Sequence, residues 1–309
     1  MNKIKLGTLA ALISGIAYGI APVLAKIAYH SGLNVITVLL LRFLGVVLII
    51  WLYKRIYWGD RKLSARMVVK LILFGALVYA GMSGLYMLSF TTIPASLACI
   101  LLYLYPSFVA VSAAFLRMEK LTRQKGIALV LATLGLVLLL RSSFVRVNLA
   151  GIIYGIGAAM LYATYLIIGT NIMKKIEPIV VTMYIMMGAT ISYGLAGLVS
   201  RGILFDISLG NWVLMASIVI FTVFGLVFLW ISVRLVGPVK ASIISTVEAP
   251  VTMFLSALIF RERMTATQFL GSMMIIAAVI ILQYSAAKEK DEGECWDITS
   301  QENMHSHGI

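Results

Sequence analysis

Residues 7–19 read GTLAALISGIAYG, and residues 151–163 read GIIYGIGAAMLYA. In register at an offset of 144, the two stretches agree at five positions: Gly7 with Gly151, Ala11 with Gly155, Gly15 with Ala159, Tyr18 with Tyr162 and Gly19 with Ala163. Residues four apart lie on one face of a helix. A face of glycine and alanine lets a second helix come close, which is how helices associate where lipid surrounds them. Either stripe alone predicts a packing face. The same stripe twice predicts a chain made of two related halves.

The stripes lie in a chain of 309 residues that is 61% hydrophobic and only 12% charged, with a mean hydropathy of +1.02. Soluble domains are about half apolar and about a quarter charged. Apolar runs near twenty residues recur along the whole length, each able to cross a hydrocarbon layer of about 30 Å. They predict an all-α membrane protein with ten spans: 6–28, 33–53, 68–90, 94–116, 124–140, 150–170, 178–200, 211–235, 239–260 and 266–284. The first run follows Lys3 and Lys5 but exceeds the apolar region of a signal peptide, so it reads as a retained helix.

The basic residues orient these spans. Eighteen of the 25 Lys and Arg fall at the N-terminus, in the loops after spans two, four, six and eight, and in the tail. Only Arg141, Arg146, Arg201, Arg261 and Arg263 occupy the opposite loops. The positive-inside rule then puts both termini in the cytoplasm and requires an even number of spans, ten or eight. The formal charge of +13 is spread between apolar runs and forms no stripe for nucleic acid. After Ser285 the chain turns acidic and polar, which predicts a disordered cytoplasmic tail over 285–309. His305 and His307 within it read as solvated. Cys99 and Cys295 make neither a disulfide framework nor a metal site.

A second pair of segments repeats. Ala95-Ser96, Pro106 and Glu119-Lys120-Leu121-Thr122 correspond to Ala241-Ser242, Pro250 and Glu262-Arg263-Met264-Thr265, with a two-residue difference before the proline. The halves, 1–145 and 146–284, thus carry five spans each. Five is odd, so they insert with opposite orientation: two inverted five-helix repeats, an arrangement found in transporters that bind solute near mid-membrane.

With these residues in place, the chain resembles a family. The small-residue first helix with Lys26 near its end, Arg42 in the second, Glu248-Ala249-Pro250, and Glu262-Arg263-Met264-Thr265 before Gly271 look like the EamA-type branch of the drug/metabolite transporter superfamily. The resemblance spans residues 6–284. It implies a ten-helix inverted-repeat fold and an exporter or exchanger of small metabolites, amino acids included where the third and fourth helices are rich in tyrosine. It also favours Pro106 and Pro250 as paired hinges, with static kinks as the equal alternative. One departure is that the first-half counterpart of Glu248 is Leu104 or Tyr105.

Three ionisable residues lie within spans. At 1.5 Å per residue, Arg42 and Glu248 each sit about 14 Å into their helices, near the bilayer centre, where a charge must face a cavity or a partner. Lys26 lies nearer a helix end, where it either snorkels outward or faces the outer mouth. In the functional reading, Arg42 and Lys26 attract an anionic group, while Glu248 binds a cationic group or exchanges a proton. In the structural reading they tie helices together. Tyr79 and Tyr86 share a face with Ser83 between them, and Tyr103 and Tyr105 precede Pro106, which can free both to reach a cavity. With Tyr162, these residues predict a tyrosine-lined substrate site. Trp51, Tyr53, Tyr57 and Trp58 fit the interfacial belt. Pro22 is a further candidate kink, Glu119 and Glu262 suit short turns, and Thr265 with Gln268 fits a capping box.

No phosphate loop, zinc-protease, serine-hydrolase or intramembrane carboxylate-pair signature is present in the sequence, which disfavours an enzyme and an ATP-driven pump. The expected role is secondary transport by alternating access in a multi-pass plasma membrane protein, of the bacterial inner-membrane type. Its partners are a small-molecule substrate, the lipid bilayer and candidate coupling protons, with no nucleic acid, no cofactor and no oligomeric state implied. Alternatives are a nucleotide-sugar or cationic drug transporter and, further off, an intramembrane enzyme acting on lipid or a channel or receptor.

Overall fold

The structure, a computed structural model, describes residues 3–57, 63–93, 95–119, 122–139, 148–173, 176–204, 206–260 and 265–282. The tail 285–309, Trp58, Lys120, Leu121 and Glu262 to Met264 lie outside the described residues. All regular structure among the described residues is helical: α1 (Lys3–His30), α2 (Val35–Tyr57), α3 (Ala65–Phe74), a π-helical segment (Gly75–Tyr79), α4 (Ala80–Thr92), α5 (Ala95–Leu102), α6 (Tyr105–Phe115), α7 (Arg123–Leu139), α8 (Leu149–Met173), α9 (Pro178–Ser200), α10 (Leu209–Val236), α11 (Pro238–Ser245) and α12 (Glu248–Phe260), then α13 (Ala266–Leu282). Seven stretches among the described residues are long and apolar enough to cross a membrane, with α3 to α4 and α11 to α12 each forming one of them. The expected spans 94–116, 124–140 and 266–284 contain the shorter helices α5 and α6, α7, and α13.

Two of the expected spans are broken. Residues 103–104 part α5 from α6, and residues 246–247 part α11 from α12. Pro106 and Pro250 follow the breaks and have no N–H to continue the ladder. The backbone tightens to three-residue bonds instead, Ser107 N–H to Leu104 C=O at 2.9 Å and Ala249 N–H to Thr246 C=O at 3.0 Å. α5 starts at Ala95 and α11 at Pro238, and both are 8 residues long. The element boundaries therefore pair Ala95 with Pro238, three residues before the Ala241 that the sequence match suggested, and no length difference is needed. At this offset of 143, Tyr105 corresponds to Glu248 and Thr122 to Thr265. Both threonines cap the helix that follows: Thr122 Oγ1 accepts from Lys125 N at 3.3 Å and Thr265 Oγ1 from Gln268 N at 3.3 Å. Gln268 Oε1 in turn accepts from Thr265 N at 2.8 Å, which completes the expected capping box.

The glycine stripes are the seats of helix packing. α1 packs on α10, α11 and α12, and α8 packs on α4, α5 and α6. A Cβ at Gly7 would meet Val236 and Leu235, and one at Gly151 would meet Thr92 and Ile93, the corresponding helix ends. α2 lies on α9 between them. The π-helical segment falls where Gly75 passes the Ile185 carbonyl of α9 while Gly188 passes the Ile72 carbonyl, a reciprocal backbone approach that only glycine permits. α1 runs unbroken through Pro22, and Trp51 and Tyr53 are exposed on α2, where lipid would cover them.

Candidate functional site

Glu248 is the first residue of α12, so the break in the ninth expected span presents its carboxylate between two half-helices. The α1 stripe holds that break in place. A Cβ at Gly15 would lie 3.2 Å from the Ser245 carbonyl, and one at Gly19 would lie 2.9 Å from the Glu248 carbonyl. Thr252 Oγ1 closes the same contact by donating to the Gly19 carbonyl at 2.9 Å. The Ser245 hydroxyl beside the break is buried with no hydrogen-bond partner among the described residues.

Around Glu248 the structure gathers four of the sequence-selected residues. Tyr103, in the other break, lies beside the Glu248 carboxylate, and Arg42 is near enough for its charge to act on it. Tyr105 is buried at the start of α6, and its hydroxyl donates to the Ser242 carbonyl of α11 at 3.2 Å, tying one broken helix to the other. Its ring lies 4.3 Å from that of Tyr162 and 6.5 Å from that of Tyr103. Arg42 is anchored by its own contact, Nε donating to Thr222 Oγ1 of α10 at 2.8 Å.

The remaining candidates spread out. Tyr79 is buried at the end of the π-helical segment and packs edge-on with Phe43 and Tyr165 at 5.6 Å and 5.0 Å. Ser83 donates back to the Tyr79 carbonyl at 3.1 Å, and the Tyr193 hydroxyl donates to the Ala80 carbonyl at 3.3 Å. Tyr86 turns to Cys99, with 3.1 Å between its oxygen and Sγ, and packs against Ile93, Ala98 and Leu101. Lys26 is half-buried four residues before the end of α1.

Three residues that sequence reading did not select complete the arrangement. Tyr165 is fully buried and touches the rings of Tyr79, Tyr162, Phe74 and Trp230. Trp230 of α10 donates its indole N–H to the Tyr165 hydroxyl at 3.0 Å, and Thr222 holds Arg42. Tyr165 carried a usable signal, since it stands one turn from Tyr162 on the same helix. Thr222 and Trp230 depend on α10 packing against α2 and α8, which periodicity does not reveal.

A cavity of about 360 Å³ lies among the ends of α6, α8 and α10, lined by residues that include Glu119, Thr170, Trp230, Arg234 and Gly237. Glu119 Oε2 pairs with Lys125 Nζ at 2.9 Å, and Oε1 accepts from Val239 N at the start of α11 at 3.3 Å. Gly237 has φ +86°, and a Cβ there would collide with the Glu119 carboxylate. Glu119 therefore serves the turn as expected and also caps a helix of the other half.

Comparison with known proteins adds a lineage to this geometry. The model of the EamA-like transporter family matches residues 5–141 and 149–284. An uncharacterized transporter of Archaeoglobus fulgidus is 26% identical over 197 residues, 63% of this chain and 70% of that protein. Protein LicB of Haemophilus influenzae is 24% identical over 214 residues, 68% of this chain and 73% of that protein. A solved crystal structure shares the fold with a TM-score of 0.75 at 13% identity, covering 89% of this chain and 97% of the other.

Proposed function

From the premise that this chain belongs to the EamA-like transporter family, we propose that it is a secondary transporter exporting or exchanging small metabolites, amino acids among them, by alternating access. The observation that carries the reading is the half-buried Glu248 carboxylate at a helix break, with Tyr103 beside it, Arg42 within reach of its charge and tyrosine rings alongside. A zwitterion suits that set, with its ammonium on Glu248, its carboxylate drawn by Arg42 and its apolar part against tyrosine faces. Lys26 adds positive charge toward the outer mouth. Tyr79, Ser83 and Tyr86 line or support the chamber from the third expected span. A proton on Glu248 is the coupling species in this reading.

The machine proposed is ten spans in two inverted halves, 1–145 and 146–284, with both termini in the cytoplasm. Support comes from the family segments starting 144 residues apart, from the twin broken helices at an offset of 143, and from packing partners that exchange when the halves are exchanged. The broken helices are the natural moving parts, since half-helix ends at mid-membrane carry the partial charges that hold ions and polar solutes. The chain sits in a plasma membrane, of the bacterial inner-membrane type, with lipid against its exposed helix faces.

Aromatic faces beside a carboxylate also suit a cationic solute, which keeps a cationic drug as the second reading. Purified protein in vesicles loaded with a mixture of amino acids tests the proposal by counterflow of a labelled one. Saturable uptake that unlabelled amino acids compete away is the expected result. Uptake displaced only by cationic drugs moves the assignment to the second reading, and no counterflow of any solute counts against transport.

A further inference from the structure

The residues around the candidate site differ in burial in a way that divides the molecule. Glu248, Arg42, Tyr103 and Tyr162 are half-buried, whereas Tyr79, Tyr105, Tyr165 and Trp230 are 0–6% exposed. On the far side of that buried layer lies the cavity of about 360 Å³, within the range of small-molecule pockets, about 300–1,000 Å³. The elements around it, α6, α8, and the junction of α10 with α11, end toward the loops that carry the excess of basic residues. Trp230 belongs to both sides, since it lines the cavity and its N–H donates to Tyr165 at 3.0 Å. From it the rings continue through Tyr165 and Tyr162 to Tyr105 and Tyr103, beside Glu248.

Resting on the transporter reading above, we propose that this cavity is the solute's vestibule on the basic-loop side, and that the hydrogen-bonded Trp230–Tyr165 pair is the partition that selects what passes between it and Glu248. The rim fits that use. Glu119 is engaged by Lys125 and the α11 N-terminus, and Arg234 faces Glu177 at 3.4 Å, so these four charges are paired. Behind the rim the lining is apolar, with Met118 half-buried and Met173, Val233 and Trp230 closely packed. The class of solute admitted is therefore small and amphiphilic, with an apolar side chain that passes the indole once the partition opens. Trp230 packs its ring on Gly169 of α8, so the partition swings only if α8 and α10 shift against each other, which couples passage to movement within the second half.

Accessibility measures the partition without any solute. In a background lacking Cys99 and Cys295, Thr170→Cys reports on the vestibule and Tyr162→Cys on the chamber beyond, with a membrane-impermeant thiol reagent added on the cytoplasmic face of sealed inverted vesicles. The expected result is rapid reaction at position 170 and at least tenfold slower reaction at 162. Adding Trp230→Ala raises the rate at 162 about tenfold and leaves 170 within twofold. Should Trp230→Ala fail to insert, Trp230→Phe keeps the ring and removes the donor, and a rise of several fold at 162 supports the partition. Position 162 reacting equally with and without either change overturns it, as does an unreactive 170. Because no transport is read, a failed counterflow assay sinks the proposed function and leaves this result standing.

Discussion

Tyr105 and Glu248 hold the same position in two broken helices, each the first residue after an eight-residue half-helix and a two-residue interruption. The first presents a phenol that bonds across to α11, and the second presents a carboxylate. The pair is thus equivalent in backbone and unequal in chemistry, which concentrates any proton or cation exchange at the second break.

The seat of that break is sensitive to size. A Cβ at Gly19 meets Val251 at 2.7 Å and the Glu248 carbonyl at 2.9 Å, whereas at Gly126 of α7 nothing lies within 4 Å. Gly19→Leu should cost about 1–3 kcal/mol through forced displacement, read as a lowered unfolding temperature in detergent. Gly126→Ala should change stability by less than about 0.5 kcal/mol. Equal effects at the two sites would contradict the packing account.

Arg42 owes its aim to Thr222. Thr222→Val keeps the shape of the side chain and removes the oxygen that accepts from Arg42 at 2.8 Å. Losing a hydrogen bond to a charged group costs about 1.5–3 kcal/mol, so the unfolding temperature should fall, and in protein that still inserts KM for a solute with an anionic group should rise severalfold as Arg42 loses its aim. Unchanged KM would place Arg42 outside the substrate's reach, as a helix tie alone.

Topology has its own test. With Cys99 and Cys295 removed, Ser64→Cys follows the second span and Asp206→Cys follows the seventh. The charge distribution predicts labelling from outside at 206 and none at 64. The reverse pattern would invert the protein in its membrane and exchange the two mouths of the pathway.

The helical, membrane-spanning character of the chain was legible because apolar length and small-residue spacing are local properties, as at Gly7 and Gly151. The breaks were only half legible. Pro106 and Pro250 marked the regions, but the interruption precedes each proline, where the three-residue bonds at Leu104 and Thr246 leave no sequence mark. Tyr79, Tyr103, Tyr105 and Tyr162 were picked by depth and spacing, whereas Thr222 and Trp230 gain their roles from helices far away in sequence. Tyr86 shares its helix face with Tyr79, yet its hydroxyl meets Cys99 of α5, because helical spacing fixes a face and says nothing of which neighbour covers it.

Substitution of Glu248 by glutamine reaches the centre of the account, since it preserves size and polarity while removing the charge and the titrating proton. Purified Glu248→Gln protein, inserted at normal levels in vesicles, is measured for transport rate and affinity across pH beside the unmodified protein. The account predicts normal folding with transport reduced at least tenfold, or retained but no longer dependent on pH. Unchanged affinity, rate and pH profile in correctly inserted protein would contradict it and leave Glu248 a structural residue.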